Sequence, residues 1–131
     1  MLLAIDCGNT HVVFGIFNHS SLIHSWRAQT SDTIDKERFL CSFYEQLANI
    51  GFSLCEITNV VIASVVIEAT TCFDYLENSI AIPFRSISSP STILPIDIDL
   101  PEPSEVGADR VVNAVAGSLL TQSDFIIVDF G

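Results

Sequence analysis

Basic residues are scarce in this chain: five Lys and Arg stand against sixteen Asp and Glu among 131 residues, a formal net charge of −11 at pH 7. That balance excludes a sequence-independent grip on nucleic acid, which needs Lys and Arg to displace counterions from phosphates. It does not exclude a small anionic ligand, because one Arg and a few backbone amides hold a phosphate locally against an unfavourable overall field. No apolar run is long enough to span a membrane, and Met1-Leu2-Leu3-Ala4-Ile5 meets Asp6 without a basic leader, so the chain reads as cytoplasmic with no membrane partner. The C-x-x-C spacing is missing. Cys7, Cys41, Cys55 and Cys72 are scattered, each in or beside an apolar segment, and read as small buried hydrophobes in a reducing compartment. His11, His19 and His24 lack metal-ligand spacing to acids or to one another. Neither G-x-x-x-x-G-K-[ST] nor G-x-G-x-x-G occurs, so any nucleotide must be held by another fold. Asp129-Phe130-Gly131 matches a protein-kinase tripeptide, but no Gly-rich loop, Val-Ala-Ile-Lys strand or His-Arg-Asp loop accompanies it, and that reading is discarded.

Hydrophobic residues make up 49% of the chain, ample for a packed core in one domain or in a piece of something larger. Residues 2–6, 11–17 and 22–28 are short aliphatic and aromatic segments separated by Cys7-Gly8-Asn9-Thr10 and Asn18-His19-Ser20-Ser21, the pattern of three strands joined by tight turns. Ile34, Phe39, Leu40, Phe43, Leu47 and Ile50 recur near helical spacing, which predicts an amphipathic helix over 33–50, with Ser31, Asp32 or Thr33 as N-cap and Gly51 as stop. Residues 60–66 predict a buried parallel strand, 68–78 a helix and 82–87 another strand. Ser88-Ser89-Pro90-Ser91-Thr92, then Pro95, Pro101 and Pro103, read as an irregular connection. The run 111–120 is apolar on most of its surface and predicts a helix buried between layers. Phe125-Ile126-Ile127-Val128 carries a buried-strand signature that runs into Asp129-Phe130-Gly131, where a core strand with nothing to cover it suggests a truncated polypeptide.

Three motifs carry chemistry. Asp6-x-Gly8-Asn9-Thr10 closes the first predicted strand. Gly8 allows a conformation with φ > 0 or a close backbone approach, the Asn and Thr side chains with exposed amides suit phosphate oxygens, and Asp6 stands where a carboxylate orients Mg²⁺ or its waters. An ordinary hairpin turn capped by Asp6 is the competing reading. Asp129-x-Gly131 repeats the pattern after a later strand. Gly107-Ala108-Asp109-Arg110 sets an acid beside a base at a helix entrance; here the competing reading is a helix-start acid in a structural ion pair, the reading kept for Glu105 as a first-turn acid.

Taken together, Asp6-Cys7-Gly8-Asn9-Thr10, the block from Glu105 through Gly107-Ala108-Asp109-Arg110-Val111-Val112-Asn113-Ala114, and Ile127-Val128-Asp129-Phe130-Gly131 resemble type III pantothenate kinase. The resemblance spans the chain in the right order, and the Gly-Ala-Asp-Arg block is its most specific part. It implies an α/β fold of the acetate kinase, sugar kinase, heat-shock 70 and actin group. Residues 1–122 would form an actin-like ATPase (ribonuclease H-like) domain with a mixed sheet flanked by helices, and 123–131 the opening strand of a second, similar domain. The implied activity is ATP-dependent phosphorylation of the primary hydroxyl of pantothenate, the committing step toward coenzyme A. By matching position, Asp6, Cys7, Gly8, Asn9, Thr10, His11, Val12 and Val13 would bind ATP, with Asp6 also serving Mg²⁺. Gly107, Ala108, Asp109, Arg110 and Leu100 would bind pantothenate, Asp109 as catalytic base. Asp129 would bind the monovalent cation, K⁺ or NH₄⁺, and the protein would be a homodimer. Two departures stand out: Leu100 where many members carry Tyr, and Ile67 where the family usually has Pro. The resemblance also implies that these 131 residues alone lack appreciable kinase activity. The alternative is a non-catalytic accessory or regulatory protein of the same fold, or a degraded inactive fragment.

Overall fold

Alternation along the strands sorts side chains onto two faces and sets the architecture. The computed structural model describes residues 1–87, 94–121 and 123–129; the expectations for Ser88-Ser89-Pro90-Ser91-Thr92 and for Phe130-Gly131 fall outside them. Strands β1 (Leu2–Cys7), β2 (His11–Asn18) and β3 (Ser21–Gln29) form an antiparallel meander. β4 (Asn59–Ser64) runs parallel to β1 on its other side and β5 (Phe84–Ile87) parallel to β4, giving the order β3-β2-β1-β4-β5. This is the mixed α/β sheet that the resemblance implies. β4 ends before the expected Val66 because Ser64 Oγ accepts the Val66 N–H at 3.2 Å and turns the chain. The next helix, α2 (Ile67–Ser79), begins there.

Leu3, Ile5 and Cys7 of β1, Val12, Phe14 and Ile16 of β2, and Val60 and Ile62 of β4 share one face and are buried. Helix α1 (Lys36–Asn49) and α2 cover that face, packing Phe39, Phe43 and Leu47 with Ala69, Cys72, Phe73 and Leu76 into one core. Trp26 of β3 stacks on Phe14 with centroids 4.7 Å apart, and Phe39 meets Phe73 edge-on at 5.8 Å, geometries that favour aromatic pairs. α1 starts three residues later than expected. Thr30–Thr33 forms a separate 3₁₀ turn, and the cap is Asp35, whose Oδ1 accepts the Arg38 N–H at 3.0 Å. Gly51, at φ +77°, stops the helix as expected: its N–H bonds Ala48 O and that of Phe52 bonds Leu47 O, a Schellman closure. Ile67, where the resemblance implies Pro, is the first residue of α2, a position that suits Pro because its N–H has no helical acceptor, and Ile stands there exposed to solvent.

The opposite face presents Ala4, Asp6, Val13, Gly15, Phe17, Val61 and Ala63, and among the described residues only α3 (Ala108–Leu120) lies over it. The expectation of a helix buried between layers is corrected: α3 buries Ala108 and Val111, while Leu119 and Leu120 are 78% and 88% exposed. One layer lies beneath α3 and none above it among the described residues, and a cavity of about 440 Å³ remains over Ala4, Val13, Val61, Ala63 and Val112. Phe125-Ile126-Ile127-Val128 is corrected as well: it joins no ladder among the described residues, and Ile126 is 90% exposed. The segment finds no strand neighbour and instead follows α3, the Phe125 ring lying against Gly117, where a Cβ would stand 2.5 Å from the ring. Of the four cysteines read as buried, Cys7 and Cys72 are buried but Cys41 and Cys55 are exposed, because they fall on the outer side of α1 and in the 3₁₀ turn Leu54–Glu56.

Candidate functional site

The turn between β1 and β2 is closed by the Gly8 N–H donating to His11 O at 2.9 Å. Alternation divides the eight residues read as ATP-binding. Cys7 and Val12 point into the core and have only backbone to offer a ligand, whereas Asp6, Asn9 and Thr10 are exposed and Gly8, His11 and Val13 half-buried. Gly8 does not use positive φ, and a Cβ on it would meet His11 O at 3.4 Å, an ordinary contact, so neither backbone conformation nor neighbours in this chain demand the glycine. What sequence reasoning missed is the fastening behind the turn. Thr30 Oγ1 donates to Gly8 O at 2.7 Å, the Thr30 N–H donates to Thr10 O at 2.9 Å, and Thr33 Oγ1 donates to Thr30 O at 2.7 Å. The only signal was a pair of threonines between a strand and a helix, of which Thr33 alone was read, as an N-cap candidate.

At the start of α3, Gly107 is the N-cap and Asp109 lies in the first turn, where a carboxylate is favoured by the helix dipole. Asp109 Oδ1 accepts the Arg110 N–H at 2.8 Å, so the bond that links this acid and base runs through the Arg110 backbone. Gly107 has an unremarkable φ of −61°, yet a Cβ there would collide with Asp109 Oδ1 and approach Val65 Cγ1 to 3.3 Å. Its role is to leave room for the carboxylate. Arg110 lines a cavity of about 480 Å³ with Asn113, Phe125 and Asp129. Ala108 is buried and serves packing, Glu105 ends a separate 3₁₀ turn, Pro103–Glu105, and Leu100 is 54% exposed in the irregular stretch before it. Leu100 is not among the residues lining the cavities at Asp6 and Asp129.

Asp6, Asp109 and Asp129, far apart in the sequence, share one electrostatic field. Partial burial raises the Asp6 pKa above its ordinary 3.8, and the negative charges of Asp109 and then Asp129 raise it further. Asp6 and Asp129 line one cavity of about 500 Å³ with Asn113 and Gly117, and Asn113 Nδ2 donates to Asp129 Oδ2 at 3.2 Å. Asn113, one helical turn beyond Asp109, is a second residue the sequence reading did not single out. Among the described residues no three His, Cys, Asp or Glu side chains come close enough to hold a metal by themselves. Facing carboxylates that repel one another are nevertheless hard oxygen donors suited to Mg²⁺, which keeps several waters and takes one or two carboxylates plus substrate phosphates. The buried thiols are not candidates for nucleophiles: burial raises the pKa of Cys7 and pushes that of Cys72 up to about 11, so both stay protonated.

A five-stranded mixed sheet with helices packed on one face and carboxylates gathered on the other defines an α/β domain with an acidic cleft. The sequence profile described as type III pantothenate kinase matches residues 2–131, and the chain belongs to that family. It is 41% identical to a type III pantothenate kinase of Geotalea uraniireducens, 38% to one of Desulfosudis oleivorans and 35% to one of Geobacillus kaustophilus. Each of these matches covers 100% of this chain and 51% of the relative, so the chain spans about half the length of the curated relatives it matches. A solved structure from Bacteroides thetaiotaomicron, described as a protein with actin-like ATPase fold and unknown function, matches 64% of this chain and 31% of its own at 14% identity and a TM-score of 0.44. Among the described residues no helix is long and apolar enough to cross a membrane.

Proposed function

We propose that this chain forms one wall of the active site of an ATP-dependent pantothenate kinase, with residues 1–122 as the first actin-like domain and the segment from 123 as the start of a second. The observation that carries the reading is the convergence of Asp6 and Asp109 in one field on the open face of the sheet, beside a turn with exposed Asn9 and Thr10. In the proposed reaction the primary hydroxyl of pantothenate attacks the γ-phosphorus of ATP. A new O–P bond forms, the bond to the β-phosphate oxygen breaks, ADP leaves, and the hydroxyl proton passes to the Asp109 carboxylate. Gly107 gives that carboxylate its room, and Arg110, with the planar donor set that suits a carboxylate, faces pantothenate. Leu100 would supply an apolar wall of the pantothenate pocket.

Residues 6–13 hold the phosphates through the turn's backbone and the Asn9 and Thr10 side chains. Asp6 orients Mg²⁺ or its waters, and Asp129, steadied by Asn113, faces K⁺ or NH₄⁺. When bound, these cations neutralise charge on the phosphates. The exposed Leu119 and Leu120 at the end of α3 suit the interface of a homodimer, and a cytoplasmic location agrees with the free thiols.

The test is Asp109→Asn in the complete gene product, followed by ADP release with pantothenate as acceptor. Turnover should fall by about 10²- to 10⁴-fold with an unchanged melting temperature. A near-parental rate would remove Asp109 from the role of base. Ligand binding by a parent protein that never turns over would point instead to an accessory protein.

A further inference from the structure

We propose that Thr30 is the positioning residue of the phosphate-binding turn, a latch at the end of β3 that aims the Asn9 amide at the nucleotide; the inference rests on the reading of residues 6–13 as the phosphate segment. Thr30 and Thr33 are the buried polar side chains among the described residues, 7% and 3% exposed, in a core otherwise apolar. Buried hydroxyls are retained at a cost unless they are hydrogen-bonded, and here both are spent on the same place.

Thr30 grips the turn at two points. Its Oγ1 donates to Gly8 O at 2.7 Å and its N–H to Thr10 O at 2.9 Å, so the carbonyls on either side of Asn9 are fastened to one residue. Thr33 Oγ1, donating to Thr30 O at 2.7 Å, fixes the latch in turn. The geometric consequence follows from the peptide plane. In a trans peptide the C=O and the next N–H point in opposite directions, so tying Gly8 O to Thr30 turns the Asn9 N–H away from the latch. No protein acceptor takes that N–H among the described residues, and Asn9 itself is exposed. An outward-facing amide, held from behind by a buried hydroxyl, is a preorganised donor for a phosphate oxygen.

The same geometry accounts for Gly8 in a way its own dihedrals do not. With neither positive φ nor a close neighbour to require it, Gly8 keeps side-chain bulk off the surface beside the Asn9 amide, where a phosphate would approach.

The experiment compares Thr30→Val, which keeps the shape and removes the hydroxyl, with Thr30→Ser, which restores it, in the complete gene product. Leu47→Ala serves as a control that lowers stability from the far side of the core. Mg-ATP affinity is measured by calorimetry, the KM for ATP and kcat by kinetics, and the Asn9 amide by NMR. Thr30→Val should raise Kd and the KM for ATP by about tenfold, with kcat within about twofold, and should abolish the shift of the Asn9 amide on adding Mg-ATP. Thr30→Ser should restore all three, and Leu47→Ala should lower the melting temperature while leaving them unchanged. Parental affinity in Thr30→Val, or an equal loss of affinity in Leu47→Ala, would overturn the latch. A parent protein that binds no Mg-ATP would instead overturn the phosphate-site reading, and the latch with it.

Discussion

The two faces of the sheet are cut from the same strands yet carry opposite burdens. In β1, Leu3, Ile5 and Cys7 lie under α1 and α2 with at most 2% exposure, while Ala4 and Asp6 between them face a cavity. Strand alternation therefore delivers stability and chemistry from one stretch of sequence, and it does so again in β2, where Val12 and Phe14 are core and Val13 is not. The difference teaches that the candidate site occupies the face that the described chain leaves half-covered. There carboxylates stand in contact with water beside apolar walls.

The strongest way to break this comparison is to truncate one side chain on each face to alanine. Phe73→Ala, under the covered face, removes a ring that meets Phe39 edge-on and should cost about 3–5 kcal/mol, a large share of a domain's ordinary stability. Val13→Ala, on the open face, should cost less than about 1 kcal/mol because the residue is already half-exposed. Denaturant midpoints measured on the 131-residue chain and on the complete gene product separate the cases. A large cost for Val13→Ala in the longer protein alone would mean that something beyond the described residues covers that face.

A smaller and more local effect sharpens the comparison at the cleft. Gly107→Ala puts a methyl where the Asp109 carboxylate stands, and the flexible acid yields before the backbone does. Activity of the complete gene product should fall by about 10- to 100-fold through misplacement of the base, with little change in melting temperature. An equal activity in the variant would show that the carboxylate's position at the helix start is not the reacting one.

Much of this division was legible in the sequence, and what escaped did so for physical reasons. The three N-terminal strands, α1 with its Gly51 stop, and α2 follow from local periodicity and turn chemistry, which are properties of short stretches. Phe125-Ile126-Ile127-Val128 has the composition of a core strand, but a strand exists only with a partner, and none is supplied by the described residues. The apolar circumference of α3 likewise states a capacity for burial, not the presence of a second layer, which is why Leu119 and Leu120 are exposed. At the site, Asp6, Asp109 and Asp129 stood out as acids beside glycines. Thr30 and Asn113 did not, because their importance lies in partners distant in sequence, Gly8 and Asp129.

The faintest effect bears on the charge of the open face itself. Because Asp6 has a folded-state pKa raised above 3.8, the folded chain keeps that proton to higher pH than the unfolded chain does. The stabilisation linked to it is therefore complete below pH 3.8 and is lost as pH rises through the raised value, so at neutral pH the ionised Asp6 opposes folding, first through the partial loss of its hydration and then through repulsion by Asp109 and Asp129. Asp6→Asn should remove that opposition. Its melting temperature should match the parent's at low pH and exceed it slightly at neutral pH, by an amount worth no more than about 1 kcal/mol at so exposed a position. Adding Mg²⁺ to the parent should narrow the gap in part, because a cation among the carboxylates relieves the repulsion by Asp109 and Asp129 that the substitution also deletes. A variant less stable than the parent at neutral pH would mean that Asp6 holds the turn through its charge. The open face would then contribute to the fold, and the division of labour between the two faces would fail at its most informative residue.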